Sequence, residues 1–276
     1  MALGDLHSLL YLPANRESAI AKARTLPADG VILDLEDAVQ PAAKAEARAA
    51  AVAAARAGGW GGRRLFLRVN GIDTEWHRDD VRAAIGGGFA GLVVPKVDDA
   101  LGARAVVAEA AGLPVLAMIE TPAGVINAPA IAAVPGICGL IAGMADLAKA
   151  LRCGADPERR PLLYSLSAIV LAARAAGIAC FDGVYTAIHD EAGFRAEAAQ
   201  GRLLGFDGKT LIHPSQVAPC NEAFAPTAAE IADARAMIAA YEAALAQGRG
   251  VATWAGQMVE VLHVEQARAL LARAGV

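Results

Sequence analysis

The sequence predicts an α/β fold, a TIM (β/α)8 barrel over residues 1–224 with a C-terminal helical extension over residues 225–276. Three observations carry that prediction. Short apolar runs recur eight times, each closed by a polar residue, Gly or Pro and followed by an Ala-rich stretch with helical spacing. The runs are apolar almost throughout rather than alternating, which marks strands buried on both faces of a parallel sheet, and eight of them fit a closed barrel better than an open sheet. After His213 the pattern changes, and one long amphipathic helix follows.

In order, the eight runs are Ser8–Leu12, Gly30–Leu35, Leu65–Val69, Gly91–Val94, Pro114–Ile119, Cys138–Ala142, Ala179–Asp182 and Lys209–Ile212. Between them, Lys44–Arg56 opens a helix after Pro41, and Pro161–Ala175 carries Leu162, Leu163, Leu166, Ile169, Val170 and Ala173 at helical spacing. Gly58–Arg64 reads as a loop, and Gly86-Gly87-Gly88 ends a helix before the fourth run. In the extension, Thr227 to Glu230 is a capping box that starts a helix with Ile231, Met237, Ile238, Tyr241 and Leu245 on its apolar side. Gly248 to Gly250 breaks that helix, Val251–Trp254 is strand-like, and Val264–Ala274 forms a last helix lined by Val264, Ala267, Leu270 and Leu271. The apolar face of this tail needs cover, from its own barrel or from a neighbouring subunit.

Composition narrows the partners. With 25 basic and 29 acidic residues interspersed and a net charge of −4, no basic face for nucleic acid is expected. The 56% hydrophobic content is inflated by Ala, and no apolar run free of charge or Gly approaches the ~20 residues of a membrane span, so a soluble protein is expected. Met1 to Leu10 has no basic segment and carries Asp5, which argues against a secretory signal and makes the cytoplasm the default location. Cys138, Cys153, Cys180 and Cys220 lack metal-ligand spacing and are expected to be reduced and mostly buried. The expected partner is a small molecule.

In a barrel the C-terminal strand ends converge on one mouth. There they would gather Asn15 and Arg16, Asp34, Glu36 and Asp37, Arg68 and Asn70, Lys96, Glu120, Asp146, Asp182 and His213. Glu120 is delivered by the run Ala117-Met118-Ile119 and followed at once by Thr121-Pro122, while Asp146 comes one unit later behind Gly143. That glycine is expected to let the backbone approach a ligand closely. Either acid alone could simply cap the helix after it. As a pair on neighbouring strand ends they would offer the one or two carboxylates that Mg²⁺ takes alongside water and substrate oxygens.

Seven motifs follow one another along the strand ends: Leu10-Tyr11-Leu12-Pro13-Ala14-Asn15-Arg16, Ile32-Leu33-Asp34-Leu35-Glu36-Asp37-Ala38-Val39, Leu67-Arg68-Val69-Asn70-Gly71, Val94-Pro95-Lys96-Val97, Ile119-Glu120-Thr121, Asp182-Gly183-Val184-Tyr185, and Gly208-Lys209 with Ile212-His213-Pro214-Ser215-Gln216. Together they resemble the citrate lyase beta-subunit-like (malyl-CoA/citryl-CoA lyase-like) group of the HpcH/HpaI aldolase superfamily over nearly the whole chain. The resemblance implies a Mg²⁺-dependent enzyme that makes or breaks a carbon–carbon bond between a 2-oxo acid and the acyl part of a CoA thioester such as malyl-CoA or citryl-CoA. It implies Glu120 and Asp146 as metal ligands. It implies Arg68 as the group whose planar fork holds the oxo-acid carboxylate or the thioester enolate oxygen, the alternative being a salt bridge to Glu36 or Asp37.

Glu36 and Asp37 are cast as groups that order Arg68 and the ion's water without touching the ion, and Asp34 as pointing into the barrel layers or pairing internally. Asn15, Arg16, Lys44 and Arg48 are where the resemblance puts pantetheine and phosphate contacts, although Lys44 and Arg48, four apart, more often make a solvated helix face. Lys96 is left between an anchor and a substrate contact. His213 and Asp182 are read as structural.

Two departures from the family pattern matter. Its first strand opens with Arg-Ser, whereas His7-Ser8 here weakens a cationic contact. Members that condense acetyl-CoA with glyoxylate carry a Gly-x-Met-Ile-Asp-x-Pro pattern, which resembles Gly256-Gln257-Met258-Val259-Glu260-Val261-Leu262 with Glu for Asp and Leu for Pro. Glu260 is therefore a displaced catalytic base, a base for another substrate, or a surface residue. The leading expectation is a lyase. Its competitors are an acyl-CoA thioesterase on the same site, a 2-oxo acid aldolase, and an inactive subunit of a larger lyase complex that works with an acyl-carrier protein. Val251 to Val276 is expected to cross a subunit boundary in a homo-oligomer, most simply a homotrimer, and to bring Glu260 to a neighbour's mouth.

Overall fold

The computed structural model describes residues 3–276. Eight parallel strands close into a barrel in sequence order: β1 (Ser8–Pro13), β2 (Gly30–Asp34), β3 (Arg64–Arg68), β4 (Gly91–Val94), β5 (Val115–Ile119), β6 (Ile137–Ala142), β7 (Ala179–Asp182) and β8 (Gly208–Leu211). The expected (β/α)8 barrel is therefore present. β4 and β7 span the expected residues, and the other strands begin or end one residue away.

The apolar runs have a double burial to satisfy. On β1, Leu9 points inward to a core shared with Ile32, Phe66, Val93, Leu116, Ile141 and Phe181. Its neighbour Leu10 points outward to the layer between strands and helices, with Val31, Leu33, Leu67 and Leu92. Successive side chains on a strand alternate faces, so a strand with apolar cover on both sides loses the alternation that a half-exposed strand shows.

The outer layer is α1 (Glu17–Ala23), α2 (Lys44–Arg56), α3 (His77–Ala84), α4 (Ala100–Glu109), α5 (Pro122–Ala132), α6 (Met144–Leu151), α7 (Leu163–Ala176), α8 (Glu191–Leu204) and α9 (Val217–Phe224). Local signals set several of their starts. Pro122 occupies the first turn of α5, and the Thr121 side chain accepts the Gly124 N–H at 2.9 Å as its N-cap. The helix expected from Pro161 begins at Leu163, because Arg160–Leu162 forms a 3-10 turn first.

The chain divides into two compact units, Met1–Phe224 and Ala225–Val276. The second contains α10 (Ala228–Ala246), β9 (Ala252–Trp254), β10 (Gln257–Val259) and α11 (Val261–Arg273). Thr227 and Glu230 form the capping box of α10, and Tyr241, Ala244, Ala252, Val259 and Val264 make a small core of this unit's own. β9 and β10 pair as an antiparallel hairpin across Ala255-Gly256, both at positive φ (48° and 79°), as a type I′ turn demands. Sequence reading found only its first strand. The last helix starts three residues before Val264, since Glu260 takes its N-cap position.

All four cysteines are free; Cys180 and Cys220 are buried, and Cys138 and Cys153 half-buried. Among the described residues no helix is long and apolar enough to cross a membrane.

Candidate active site at the barrel mouth

A cavity of about 450 Å³ opens at the C-terminal ends of the strands. Glu120, Asp146, Arg68, Asp37 and Arg16 line it, with Asp34, Tyr11, Met118 and Gly143. Glu36, Lys44, Asn70 and Lys96 line a neighbouring cavity of about 690 Å³, which shares Asp37. Asn15 is exposed and lines neither.

Glu120 follows the last residue of β5 and is 3% exposed. Its Oε1 accepts the backbone N–H of Lys96 at 2.8 Å, an amide turned toward it because Lys96 has φ 53°. Burial pushes the carboxyl up to about 7, with the Glu36 and Asp146 charges adding to the rise and the Lys96 amide opposing it. Gly143 is where the structure changes the expectation. A Cβ there would strike the Cβ and Oε2 of Glu120, so this glycine makes room for the carboxylate's own side chain. Asp146 also differs from expectation: β6 ends at Ala142, and Asp146 lies in the first turn of α6 rather than on a strand end. An acid there suits the helix dipole as well.

Arg68 ends β3 opposite Asp34 of β2 as its register partner. Arg68 Nε and Nη2 donate to the two Asp34 oxygens at 2.7 and 2.6 Å, Nη1 lies 2.9 Å from Glu36 and 3.6 Å from Asp37, and the Tyr11 ring lies 4.9 Å from the guanidinium carbon. The contacts to Glu36 and Asp37 named by the salt-bridge reading are present, but the principal partner is Asp34, which that reading did not name. Asp34 also accepts the N–H groups of Glu36 (2.8 Å) and Ala38 (3.2 Å), which folds the β2 loop around its carboxylate. Of the five guanidinium N–H donors, Asp34 takes two and Glu36 one, leaving two for another oxygen.

Lys44 and Arg48 do not form a solvated helix face. Lys44 is 5% exposed; its Nζ donates to the carbonyls of Leu35 and Glu36, both at 2.7 Å, and lies 5.3 Å from the Trp76 ring. It ties the β2 loop to α2. Arg48 Nε pairs with buried Asp80 at 2.7 Å. Arg16 stays exposed at the mouth, with no side-chain partner among the described residues. Lys96 Nζ pairs with Glu36 Oε1 at 2.9 Å.

His213 and Asp182 both make local structural contacts. His213 Nδ1 accepts from Ser215 Oγ (2.7 Å) and the Ser215 N–H (3.3 Å), capping the turn Pro214–Gln216. Asp182 pairs with Arg159 at 2.8 Å and Lys209 at 3.1 Å, and Lys209 reaches Glu197 at 2.7 Å, in a buried four-charge cluster that sequence reading missed. Asp182 and Lys209 are register partners on β7 and β8.

Glu260 belongs to the unit Ala225–Val276, at the N-cap of α11, with its backbone N–H donating to His263 Nδ1 at 3.1 Å. Among the described residues no group of three or more His, Cys, Asp or Glu side chains is arranged to hold a metal ion. The cavity offers instead Glu120 and Asp146, two hard oxygen donors with open space beside them. That set fits Mg²⁺, which is commonly held by one or two carboxylates and keeps several waters.

A family described as HpcH/HpaI aldolase/citrate lyase matches residues 7–214, and one described as a C–C bond lyase of the TIM-barrel fold matches residues 159–276. A (3S)-malyl-CoA thioesterase of Cereibacter sphaeroides is 46% identical over 267 residues, covering 97% of this chain and 94% of its own. The citrate lyase subunit beta of Escherichia coli is 36% identical, covering 97% of this chain and 92% of its own. The crystal structure of the protein CitE from Mycobacterium tuberculosis in complex with magnesium, acetoacetate and coenzyme A matches with a TM-score of 0.85 and 31% identity, over 99% of this chain and 100% of that one.

Proposed function

As the chain belongs to the HpcH/HpaI aldolase/citrate lyase family, we propose that it is a Mg²⁺-dependent carbon–carbon lyase acting on a short 3-hydroxyacyl thioester such as malyl-CoA or citryl-CoA. The observation that carries this reading is the presence of Glu120, Asp146 and Arg68 in the wall of one cavity. Glu120 and Asp146 would hold the ion, which supplies Lewis acidity toward the oxygens of the 2-oxo acid half. Arg68 presents its two remaining N–H donors to an oxyanion of the substrate, and its grip on Asp34 fixes the direction in which they point. Glu36 and Asp37 hold Arg68 from its other side. Arg16, a cation of the cavity wall with no side-chain partner among the described residues, is suited to an anionic group of the thioester arm.

Thioester hydrolysis is the second reading, favoured by the 46% identity to a (3S)-malyl-CoA thioesterase. Malyl-CoA with Mg²⁺ separates the two: a lyase releases glyoxylate and acetyl-CoA, a thioesterase releases malate and free CoA.

In the same reading the protein works in the cytoplasm as a homo-oligomer, most simply a homotrimer, in which Val251 to Val276 covers a neighbour's mouth and Glu260 serves there as a base. The exposed Met258, Val261 and Leu262 on this tail support it as apolar surface in need of cover. A mixture of Arg68→Ala chains with chains truncated after Gln247 should recover activity that neither has alone. An acyl-carrier protein remains an alternative donor of the thioester, tested by replacing CoA with carrier-bound acyl groups in the same assay.

A further inference from the structure

We propose that the Tyr11 hydroxyl donates a hydrogen bond to an oxygen of the 2-oxo or 2-hydroxy acid half of the substrate, which makes Tyr11 a substrate-contacting residue. This rests on the functional reading above and adds to it a donor outside the metal pair and Arg68. Tyr11 sits on β1, half-buried, and lines the mouth cavity beside Arg68, Met118 and Glu120. Its hydroxyl has one protein partner among the described residues, the Met118 thioether Sδ at 3.7 Å. A thioether is a weak acceptor, and a phenol removed from bulk water ordinarily finds a strong one.

Strong acceptors stand nearby, and among the described residues the hydroxyl donates to none of them. Asp34 is held by Arg68 and by two backbone amides, Glu36 is shared between Arg68 and Lys96, and Glu120 Oε1 takes the Lys96 amide. The hydroxyl is left as a donor facing a cavity whose wall carries the groups for an oxo acid. Its position is fixed, because the ring is stacked against the Arg68 guanidinium. Burial also holds the phenol above its ordinary pKa, so it keeps its proton and acts as a donor rather than a base.

Tyr11→Phe removes the hydroxyl and keeps the ring against Arg68. Binding of glyoxylate and of oxaloacetate, each with Mg²⁺, is measured by calorimetry on the full chain and on the variant, with free CoA as the control ligand. The variant should bind the oxo acids about 10- to 100-fold more weakly, the range for a hydrogen bond to a charged group, with CoA affinity and melting temperature unchanged. Unchanged oxo-acid affinity, as a hydroxyl that serves only water or Met118 would give, overturns the inference. So does an equal loss of CoA affinity. If the parent chain binds no oxo acid, the functional reading fails and this inference fails with it.

Discussion

Asp34 and Arg68 stand side by side on adjacent parallel strands, and the arginine donates two hydrogen bonds, 2.7 and 2.6 Å long, to the two oxygens of the aspartate. The Arg68 guanidinium is therefore built into the mouth as a rigid part before any substrate arrives, with Glu36 on one side and the Tyr11 ring against it. A fork held this way loses little freedom on binding an oxyanion.

Arg68→Lys should lower kcat/KM by about 100-fold or more, in line with the loss of a fixed oxyanion donor. The same change should destabilise the fold by about 1–3 kcal/mol, since a single ammonium cannot satisfy both Asp34 oxygens and Glu36. Steady-state kinetics and urea unfolding check the two halves. Near-parental turnover would make Arg68 purely structural.

Glu120 predicts a pH dependence in the metal-free chain. Its carboxyl is pushed from the ordinary 4.5 up to about 7, so the folded state holds this proton more tightly than the unfolded state does. The contribution to stability is complete below about 4.5 and is lost as the pH rises through about 7, a difference of about 3 kcal/mol. Urea unfolding in a chelator at pH 4.5 and pH 8 should show the parent losing that much relative to Glu120→Gln, with Mg²⁺ restoring the parent alone at pH 8. Equal pH dependence in both proteins would count against the buried, ionisable Glu120 described here.

Gly143→Ala tests the space beside that carboxylate. Gly143 (φ −92°) is not in the left-handed region, but the new methyl meets the Glu120 Cβ as well as its Oε2, so the backbone at the end of β5 or at the start of α6 must shift along with the carboxylate. Apparent Mg²⁺ affinity and turnover should fall together, by about tenfold or more, and the melting temperature should fall as well, because a Cβ cannot swing aside as the end of a side chain can. A variant with parental Mg²⁺ affinity would show that Glu120 can move without consequence.

Much of this was legible in the chain itself. Strands buried on both faces read as unbroken apolar runs, so the eight runs and their polar ends located the barrel and its mouth to within one residue. What stayed hidden depends on register and reach. Asp34 meets Arg68, and Asp182 meets Lys209, because parallel neighbours in the barrel bring those residues level, which no spacing along one chain encodes. Lys44 looked like a surface cation, yet its four-carbon stem lets the ammonium reach back to the carbonyls of Leu35 and Glu36, just after β2. The hairpin of β9 and β10 had a readable signal in Gly256 between two short runs, obscured by an Ala at the first turn position, where Asn or Gly is usual.

The proposed function stands on one cation shared by Glu120 and Asp146. A crystal structure of the protein grown with Mg²⁺ and an oxo acid tests it most directly. A single ion is expected about 2.0–2.1 Å from an oxygen of each carboxylate, with water and the oxo acid filling its remaining positions. An ion bound elsewhere, or the two carboxylates too far apart to share one, would contradict it.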